Sequence, residues 1–373
     1  MTTLLHINRE TVDRYRMHTQ LLSPDNKASS PIDAARHLCG FQAQIPAAAE
    51  QSIAARCIGL RQGYIDEYLY VRRGLVRTWL MRGTVHIVDA RDLSLFSAAV
   101  GAAGVKELHR WLGRHGLNDV DIDRAADAIV LSLENGPLTR RELADRVVER
   151  LGKSAREWIE HSWGGIVKQT ALDGRVCFAD GTHGEGRFAL TAQWLRAPQS
   201  SRDPDEALVE VAERYLQAYG PASPASFGRW AGIGAADARR AVHLLGAQVM
   251  NVHIQGRTAI ALESTVETLS RLHSAELITA VLPSFDPLIV GAPEKHEIVS
   301  DEHYKSVFRK AGWITPVVVL NGHVAGTWTL HRTSRTIQIV VKKFDDDLAQ
   351  HAISRATDWL STYFERPVSI EWT

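Results

Sequence analysis

The stretch LVRTWLMRGTVHIV, residues Leu75 to Val88, is the clearest indication of the fold in this sequence. Its two halves are rich in β-prone residues, and Met81-Arg82-Gly83 separates them, a pattern that predicts a β-hairpin. Three helical patterns precede it. They cover residues 8–22, a segment that begins at Ser30-Pro31 with an N-cap and a first-turn proline, and an alanine-rich segment that begins at Pro46. Three helices followed by a two-stranded wing predict a winged-helix unit.

The same order of elements recurs twice further along the chain. Gly136-Pro137-Leu138-Thr139 opens a helix in which Thr139 and Glu142 form a capping box, and Gly220-Pro221-Ala222-Ser223 opens another. Each of these is followed by a longer helical pattern, at about 155–172 and about 234–245, and then by a pair of strand-like runs. The recurrence predicts tandem winged helices; an unrelated helical array with incidental hairpins is the alternative.

The C-terminal part is β-rich, with Asn321-Gly322 as a two-residue hairpin signal and one helix from Ala352 to Phe364. The predicted fold class is therefore mainly α with short β-hairpins, an α+β protein. We expect three winged-helix units at residues 1–118, 119–200 and 201–275, followed by a β-rich domain at 276–373.

Composition limits the class of protein. The chain has 373 residues, of which 45% are hydrophobic and 23% charged, values typical of globular proteins with several compact units. No apolar run reaches the roughly 18–20 residues of a membrane span, and the amino terminus lacks the apolar stretch of a secretory signal. Three cysteines, an odd and sparse set, favour a reducing compartment. We expect a cytoplasmic protein.

Charge is segregated along the chain, although 43 basic and 43 acidic residues balance to a net charge of zero. One run without acids spans Tyr68 to Val88 and holds Arg72, Arg73, Arg77 and Arg82. A second spans His303 to Phe344 and includes Arg332, Arg335 and Lys342. Segregated charge can present one positive face to a polyanion, whereas ordinary solvated surface is the alternative.

No pattern indicates a cofactor or a metal. Gly152-Lys153-Ser154 follows a helix and has Val147 where a phosphate-binding loop needs its first glycine. The 16 histidines are scattered without zinc-ligand spacing, and no Cys-x-x-Cys pair is present. We expect neither a metal nor a nucleotide cofactor.

Four segments, in order along the chain, resemble the winged-helix DNA glycosylase superfamily of the AlkZ and YcaQ proteins. They are Phe41-Gln42-Ala43-Gln44, Val76 to Val88, Leu282 to Gly291 and Asn321 to Trp328. The resemblance spans nearly the whole chain, and its first two segments are the more specific. The family's catalytic motif, Gln-x-Gln in the AlkZ branch and Gln-x-Asp in the YcaQ branch, falls on Gln42 and Gln44. The chain follows the AlkZ branch, which includes the azinomycin self-resistance glycosylase.

The resemblance implies three tandem winged helices in a C-shaped scaffold with a concave, basic DNA-binding surface. It implies hydrolysis of the N-glycosidic bond of alkylated purines in duplex DNA, in DNA repair or in self-resistance to a genotoxin. N7-alkylguanine, N3-alkyladenine, bulky adducts and interstrand crosslinks are the implied substrates. The family also uses a β-hairpin in its cleft, for which Thr329 to Thr336, with Arg332 and Arg335 near the tip, is the best match.

Two amides restrict the chemistry. Glutamine cannot act as a base at neutral pH, but it can orient a water and its carbonyl dipole can favour a cationic sugar. An N7-alkylguanine already carries positive charge and leaves as a neutral base. The Gln-x-Gln motif therefore predicts labile, cationic N7- or N3-alkylpurines as substrates, not uracil or 8-oxoguanine. No lysine stands beside the motif, which predicts a monofunctional glycosylase without lyase activity.

Several basic side chains are predicted to contact DNA: Arg77, Arg82, His86, Lys168, Arg332, Arg335 and Lys342. For Arg82 and His86, which flank the first wing turn, a solvated arginine and a packing histidine are the alternative. Trp79 and Trp328 are predicted to be core residues, with base stacking as the alternative. Asp286 is predicted to cap a turn, with a role in orienting the site as the alternative.

Two other classes of protein stay open. A winged-helix transcription regulator would bind DNA without catalysis, and a resistance protein could sequester a free alkylating metabolite. For the glycosylase, we expect duplex DNA with alkylated purines as the partner, no membrane, a monomer, and a location with the nucleoid.

Overall fold

The computed structural model describes residues 5–161, 164–180, 186–197, 200–271, 277–346 and 348–373. Its helices are α1 Arg9–Thr19, α2 Pro31–His37, α3 Pro46–Ala54, α4 Tyr64–Asp66, α5 Leu93–Phe96, α6 Ala102–Arg114, α7 Asp119–Ser132, α8 Arg140–Leu151, α9 Arg156–Glu160, α10 Val167–Leu172, α11 Thr191–Leu195, α12 Pro204–Tyr219, α13 Pro224–Ala231, α14 Ala235–Leu245, α15 Glu263–Arg271, α16 Pro287–Val290, α17 Lys295–Ile298, α18 Tyr304–Val307, α19 Gln350–Ala356 and α20 Asp358–Phe364. Its strands are β1 Leu5–Ile7, β2 Phe41–Gln42, β3 Leu75–Trp79, β4 Val85–Asp89, β5 Leu138–Thr139, β6 Val176–Asp180, β7 Arg187–Leu190, β8 Val249–Ile254, β9 Arg257–Leu262, β10 Thr279–Leu282, β11 Val317–Leu320, β12 His323–Arg332, β13 Ile337–Lys343 and β14 Val368–Trp372. Helix predominates and the sheets are small, which confirms the predicted fold class.

The chain forms two compact units. The first is assembled from the residues up to Ile65, Ala212–Phe227 and Val242–Thr373, and the second from Asp66–Val211 and Gly228–Ala241. The division into three winged helices and a C-terminal domain stays a prediction, and its boundary at 275/276 lies outside the described residues.

The first unit contains the β-rich C-terminal sheet, with strand order β10-β11-β12-β13-β14. All its pairs are antiparallel except β13 with β14, which is parallel. Asn321 and Gly322 connect β11 to β12 with φ of 48° and 87°. Two consecutive positive φ values are what a two-residue hairpin turn with right-handed twist requires, so the hairpin signal is confirmed.

The main core of the first unit lies between this sheet and the N-terminal helices. Met17 from α1, Leu282 from β10, Leu288 from α16 and Val317 from β11 are fully or almost fully buried in one cluster. Burial of each such side chain stabilises the fold by roughly 1.5–3 kcal/mol relative to exposure. The cluster therefore fixes α1 and the C-terminal sheet against each other.

The second unit is built around a sheet with strand order β4-β3-β6-β7-β5. Trp79 on β3 packs against Phe178, with ring centroids 4.8 Å apart, and against Phe188 at 6.1 Å. At the start of α8, the Thr139 hydroxyl accepts from the Glu142 amide and the Glu142 carboxylate accepts from the Thr139 amide. The hairpin, the core role of Trp79 and the capping box are all confirmed.

One predicted helix of the second unit is wrong. The pattern at 155–172 suggested a continuous helix, but the structure has α9 and α10 separated by a loop. Gly164 and Gly165 have φ of 102° and 49°, values outside the right-handed helical region. Helix α9 already ends at Glu160, because His161 has a non-helical ψ of 127°, and the glycine pair lies outside the helical region before α10 begins. Of the helices among the described residues, none is long and apolar enough to cross a bilayer.

Candidate active site and DNA-binding surface

The glutamine pair lies on a short extended segment of the first unit, which starts with β2 and leads into α3. Burial alternates along it: Phe41 and Ala43 are completely buried, Gln42 is half-buried and Gln44 is exposed. Because successive side chains of an extended chain point to opposite faces, both amides lie on the outer face. The arrangement suits two polar groups that act on one bound substrate.

A buried ion pair lies behind this segment. The Arg56 guanidinium donates to both carboxylate oxygens of Asp286 at 2.7 and 2.8 Å, and both side chains are completely inaccessible to solvent. Arg56 also donates to the backbone carbonyls of Gln20 and Ser52, and its guanidinium lies 5.8 Å from the centre of the Phe41 ring. The buried ion pair therefore packs against Phe41, the neighbour of Gln42 on the segment.

Asp286 has a second structural role, because its Oδ1 accepts from the Leu288 amide at the start of α16. The prediction that Asp286 caps a turn is confirmed. Its pairing with Arg56 was missed, and the only sequence signal was one arginine within the apolar stretch SIAARCIGL, residues 52–60.

Helix α3 also carries Glu50, which sequence reasoning missed. Glu50 accepts from the Tyr363 hydroxyl at 2.7 Å and from the Gly63 amide at 2.5 Å. Tyr363 belongs to α20 at the other end of the chain. The carboxylate therefore fastens the helix that follows the glutamine segment to the C-terminal part of the same unit.

The predicted cationic hairpin is present in the first unit, formed by β12, a turn at residues 333–336, and β13. Within the turn, the Thr333 hydroxyl accepts from the Arg335 and Thr336 amides at 3.2 and 2.9 Å. Arg332 and Arg335 are both exposed. Arg332 reaches the Gln62 side chain at 3.3 Å and lies over the Phe364 ring at 5.5 Å.

The wing turn of the second unit holds Arg82 with φ of 55°, a conformation that side-chain-bearing residues seldom adopt. The Arg82 guanidinium donates to the Trp230 carbonyl and, at 3.3 Å, to Nε2 of His86. Burial, with Arg82 adding to it, lowers the pKa of His86 to about 3. His86 is therefore neutral at pH 7, and its Nδ1 donates to the Thr84 carbonyl at 2.9 Å.

The remaining predicted contact residues differ in exposure. Arg77 is 9% exposed, lies over the Phe178 ring at 4.4 Å, and has its pKa lowered by burial. Lys168 on α10 is half-buried, and burial lowers the pKa of its ammonium group. Lys342 on β13 is exposed. His86 and Arg77 lie in the interior of the second unit, and direct contact of any of these side chains with DNA stays a prediction.

Over the part of the chain that the structure describes, no group of three or more His, Cys, Asp or Glu side chains is arranged to hold a metal ion. All three cysteines lie in the described part of the chain, where they are buried and form no disulfide.

Comparison with known proteins assigns this chain to the class of DNA glycosylases. The family model described as DNA glycosylase AlkZ-like matches residues 35–362. An interstrand DNA cross-link repair glycosylase from Streptomyces sahachiroi is 31% identical over 330 residues, 85% of this chain and 86% of that protein.

A solved structure, the Streptomyces sahachiroi DNA glycosylase AlkZ, matches 98% of this chain and 100% of its own with a TM-score of 0.87 and 27% identity. The chain therefore belongs to the AlkZ-like DNA glycosylase family, and the predicted enzyme class is confirmed. The transcription-regulator alternative is not favoured.

Proposed function

We propose that this DNA glycosylase hydrolyses the N-glycosidic bond of cationic alkylated purines in duplex DNA, with Gln42 and Gln44 at its catalytic centre. The observation that carries the proposal is the alternation of burial along the segment, which supports a position of both amides on one face. The buried ion pair of Arg56 and Asp286 lies behind that segment. N7-alkylguanine and N3-alkyladenine are the proposed lesions, with bulky adducts and interstrand crosslinks included.

The proposed reaction needs little acid or base catalysis from the protein. The oxygen of a water attacks C1′, the C1′–N9 bond of an N7-alkylguanine breaks, and its electron pair neutralises the cationic ring. The water loses one proton to solvent. Gln42 and Gln44 orient the water and place carbonyl dipoles beside the positive charge that develops on the sugar.

The crosslink part of the proposal is supported by the similarity to the interstrand DNA cross-link repair glycosylase of Streptomyces sahachiroi. The same similarity supports a role in DNA repair, whereas a role in self-resistance is proposed from the Gln-x-Gln motif of the AlkZ branch. We further propose that the enzyme acts as a monofunctional monomer on chromosomal DNA in the cytoplasm.

The lesion class can be tested with duplexes that differ in one base. We expect base release, read as alkali-sensitive strand cleavage, from N7-methylguanine and from a bulky N7-guanine adduct. Duplexes with uracil or 8-oxoguanine should be cleaved at least roughly 10²-fold more slowly, because their neutral bases need acid catalysis to leave. Equal rates on neutral and cationic lesions would contradict the proposed mechanism.

A further inference from the structure

The second unit contains a cavity of ≈ 600 Å³, and neither glutamine lines it. This volume lies within the usual range of about 300–1,000 Å³ for small-molecule sites. Its lining combines apolar side chains, such as Leu80 and Leu108, with charged and aromatic side chains. Such a combination is typical of a site that takes a planar ligand with a charged group.

The charge on the wall is predominantly positive. Arg82 and Lys168 both line the cavity. Arg82 is held in place by its bonds to Trp230 and His86, and since His86 is neutral, the positive charge of this group resides on Arg82. Glu107 also lines the cavity, where it interacts electrostatically with Lys168 and forms an ion pair with Arg110 one turn further along α6, so the cations outnumber it. The wall therefore favours an anion.

An aromatic cluster forms another part of the wall. Trp111 and His161 line the cavity, with their ring centroids 5.1 Å apart. The Trp111 ring also packs against His115, with ring centroids 4.4 Å apart, and against Trp158, with centroids 6.3 Å apart. A braced indole is a suitable platform for stacking of a nucleobase, and an arginine with a lysine is a suitable pair for a phosphate.

We propose that this cavity binds a single nucleotide unit, with its base against Trp111 and its phosphate on Arg82 and Lys168. The strained backbone of Arg82 fits this role, because backbone strain concentrates at sites where a side chain must be held in one position. Nucleotide binding in this cavity does not depend on cleavage of a glycosidic bond. The cavity could therefore fail to bind a nucleotide in an active glycosylase, and it could bind one in a protein that fails to cleave the proposed lesions.

Calorimetric titration of the full chain with dGMP, beside deoxyguanosine, tests the site. We expect saturable binding of dGMP and at least roughly tenfold weaker binding of deoxyguanosine, which lacks the phosphate. Trp111→Ala should weaken both ligands by about tenfold, and Trp111→Phe should restore much of the loss. Lys168→Ala should weaken dGMP but leave deoxyguanosine unchanged.

The matched controls are Trp194→Ala, which removes a ring stacked under Arg73 away from the cavity, and Lys153→Ala, which removes an exposed lysine. Both should bind dGMP like the unaltered protein. Competition distinguishes the source of the ligand: a single-stranded oligonucleotide that displaces dGMP assigns the site to a nucleotide of DNA, and one that does not assigns it to a free nucleotide. Absence of dGMP binding, or equal affinities for folded Trp111→Ala, Lys168→Ala and unaltered protein, would overturn the proposal.

Discussion

Among single residues, Gln42 and Gln44 are the most important for the proposed reaction, because two amides stand where other glycosylases use a carboxylate to activate a water. Gln42 and Gln44 can accept from and donate to a water, but they cannot remove its proton at neutral pH. This restricts the enzyme to lesions whose base is already a good leaving group. The fixed backbone of the segment is therefore as important as the amides, because orientation is the main contribution that they can make.

The buried pair of Arg56 and Asp286 should be essential for stability. Arg56→Met leaves the Asp286 carboxylate buried without its partner, and we expect the free energy of unfolding to fall by about 3–5 kcal/mol in urea titrations. The control is Arg61→Met, which removes an ion pair to Glu365 whose side chains are 64% and 63% exposed. That change should cost no more than about 1 kcal/mol. Equal effects of the two substitutions would show that Arg56 does not anchor the unit.

His86 should make the second unit sensitive to acid. In the unfolded chain a histidine gains its proton below about pH 6.5, but burial beside Arg82 lowers the pKa of His86 to about 3. Between these values the unfolded state binds more protons, so stability falls as the pH drops, by up to about 1.4 kcal/mol per pH unit. Stability is fully retained above pH 6.5.

Unfolding titrations at pH 7.5, 5.5 and 4.5 check this, with His86→Gln beside the unaltered protein. The substitution should flatten the loss between pH 6.5 and pH 4.5, while the exposed-histidine control His351→Gln should retain it. An unchanged pH dependence in His86→Gln would contradict the assignment.

Local sequence patterns predicted some of these residue positions but not the long-range contacts between them. The common direction of Gln42 and Gln44 is predicted from their spacing, and the alternating burial along the segment supports it. Arg56 and Asp286 lie 230 positions apart, so no local pattern could pair them. The interior position of His86 agrees with the alternative of a packing histidine, and it arises because all five residues of β4 are buried.

At the element scale, the hairpin of β12 and β13 is the part of the first unit best suited to contact a phosphate backbone. Its turn is fixed by the Thr333 hydroxyl, while Arg332 and Arg335 stay exposed. Long cationic side chains on a fixed hairpin backbone can reach the phosphates of a DNA strand without a change in the hairpin's own structure.

Removing both hairpin charges should weaken DNA binding without unfolding the protein. For Arg332→Ala/Arg335→Ala, we expect the slope of log K against log salt to decrease by about 1–2, close to 0.9 for each lost phosphate contact. Fluorescence anisotropy with a labelled duplex at several salt concentrations measures it. Arg124→Ala, on the acidic helix α7, is the arginine control and should leave the slope unchanged. An unaltered slope in the double variant would place the DNA elsewhere.

Elements were predictable where glycine, proline or a cap marks an end. Asn321-Gly322, the capping box at Thr139 and the wing around Met81 to Gly83 all formed as expected. The prediction of one helix at 155–172 was wrong because α9 ends at Glu160, and Gly164 and Gly165, with positive φ values, precede α10.

At the scale of the whole molecule, each compact unit is assembled from segments that are distant in sequence. The first unit combines the N-terminal helices, a central segment and the C-terminal sheet. Its main buried cluster joins residues of the N-terminal part to residues of the C-terminal sheet and its neighbouring helices. The order of elements along the chain could indicate the fold class, but not this discontinuous assembly, since it depends on contacts between distant segments.

Gln42 and Gln44 are proposed to form the catalytic centre, and the rate of base release from an N7-methylguanine duplex is the most direct measure of their role. Unaltered protein, Gln42→Ala, Gln44→Ala and the control Gln248→Ala, an exposed glutamine of the same unit, are compared under single-turnover conditions with alkali cleavage of abasic sites. DNA affinity is measured in parallel. We predict that the rate falls by roughly 10²-fold or more in both motif variants, with affinity and the control unchanged. Rates that stay within a factor of about two of the unaltered protein, in folded variants that bind DNA normally, would contradict the account.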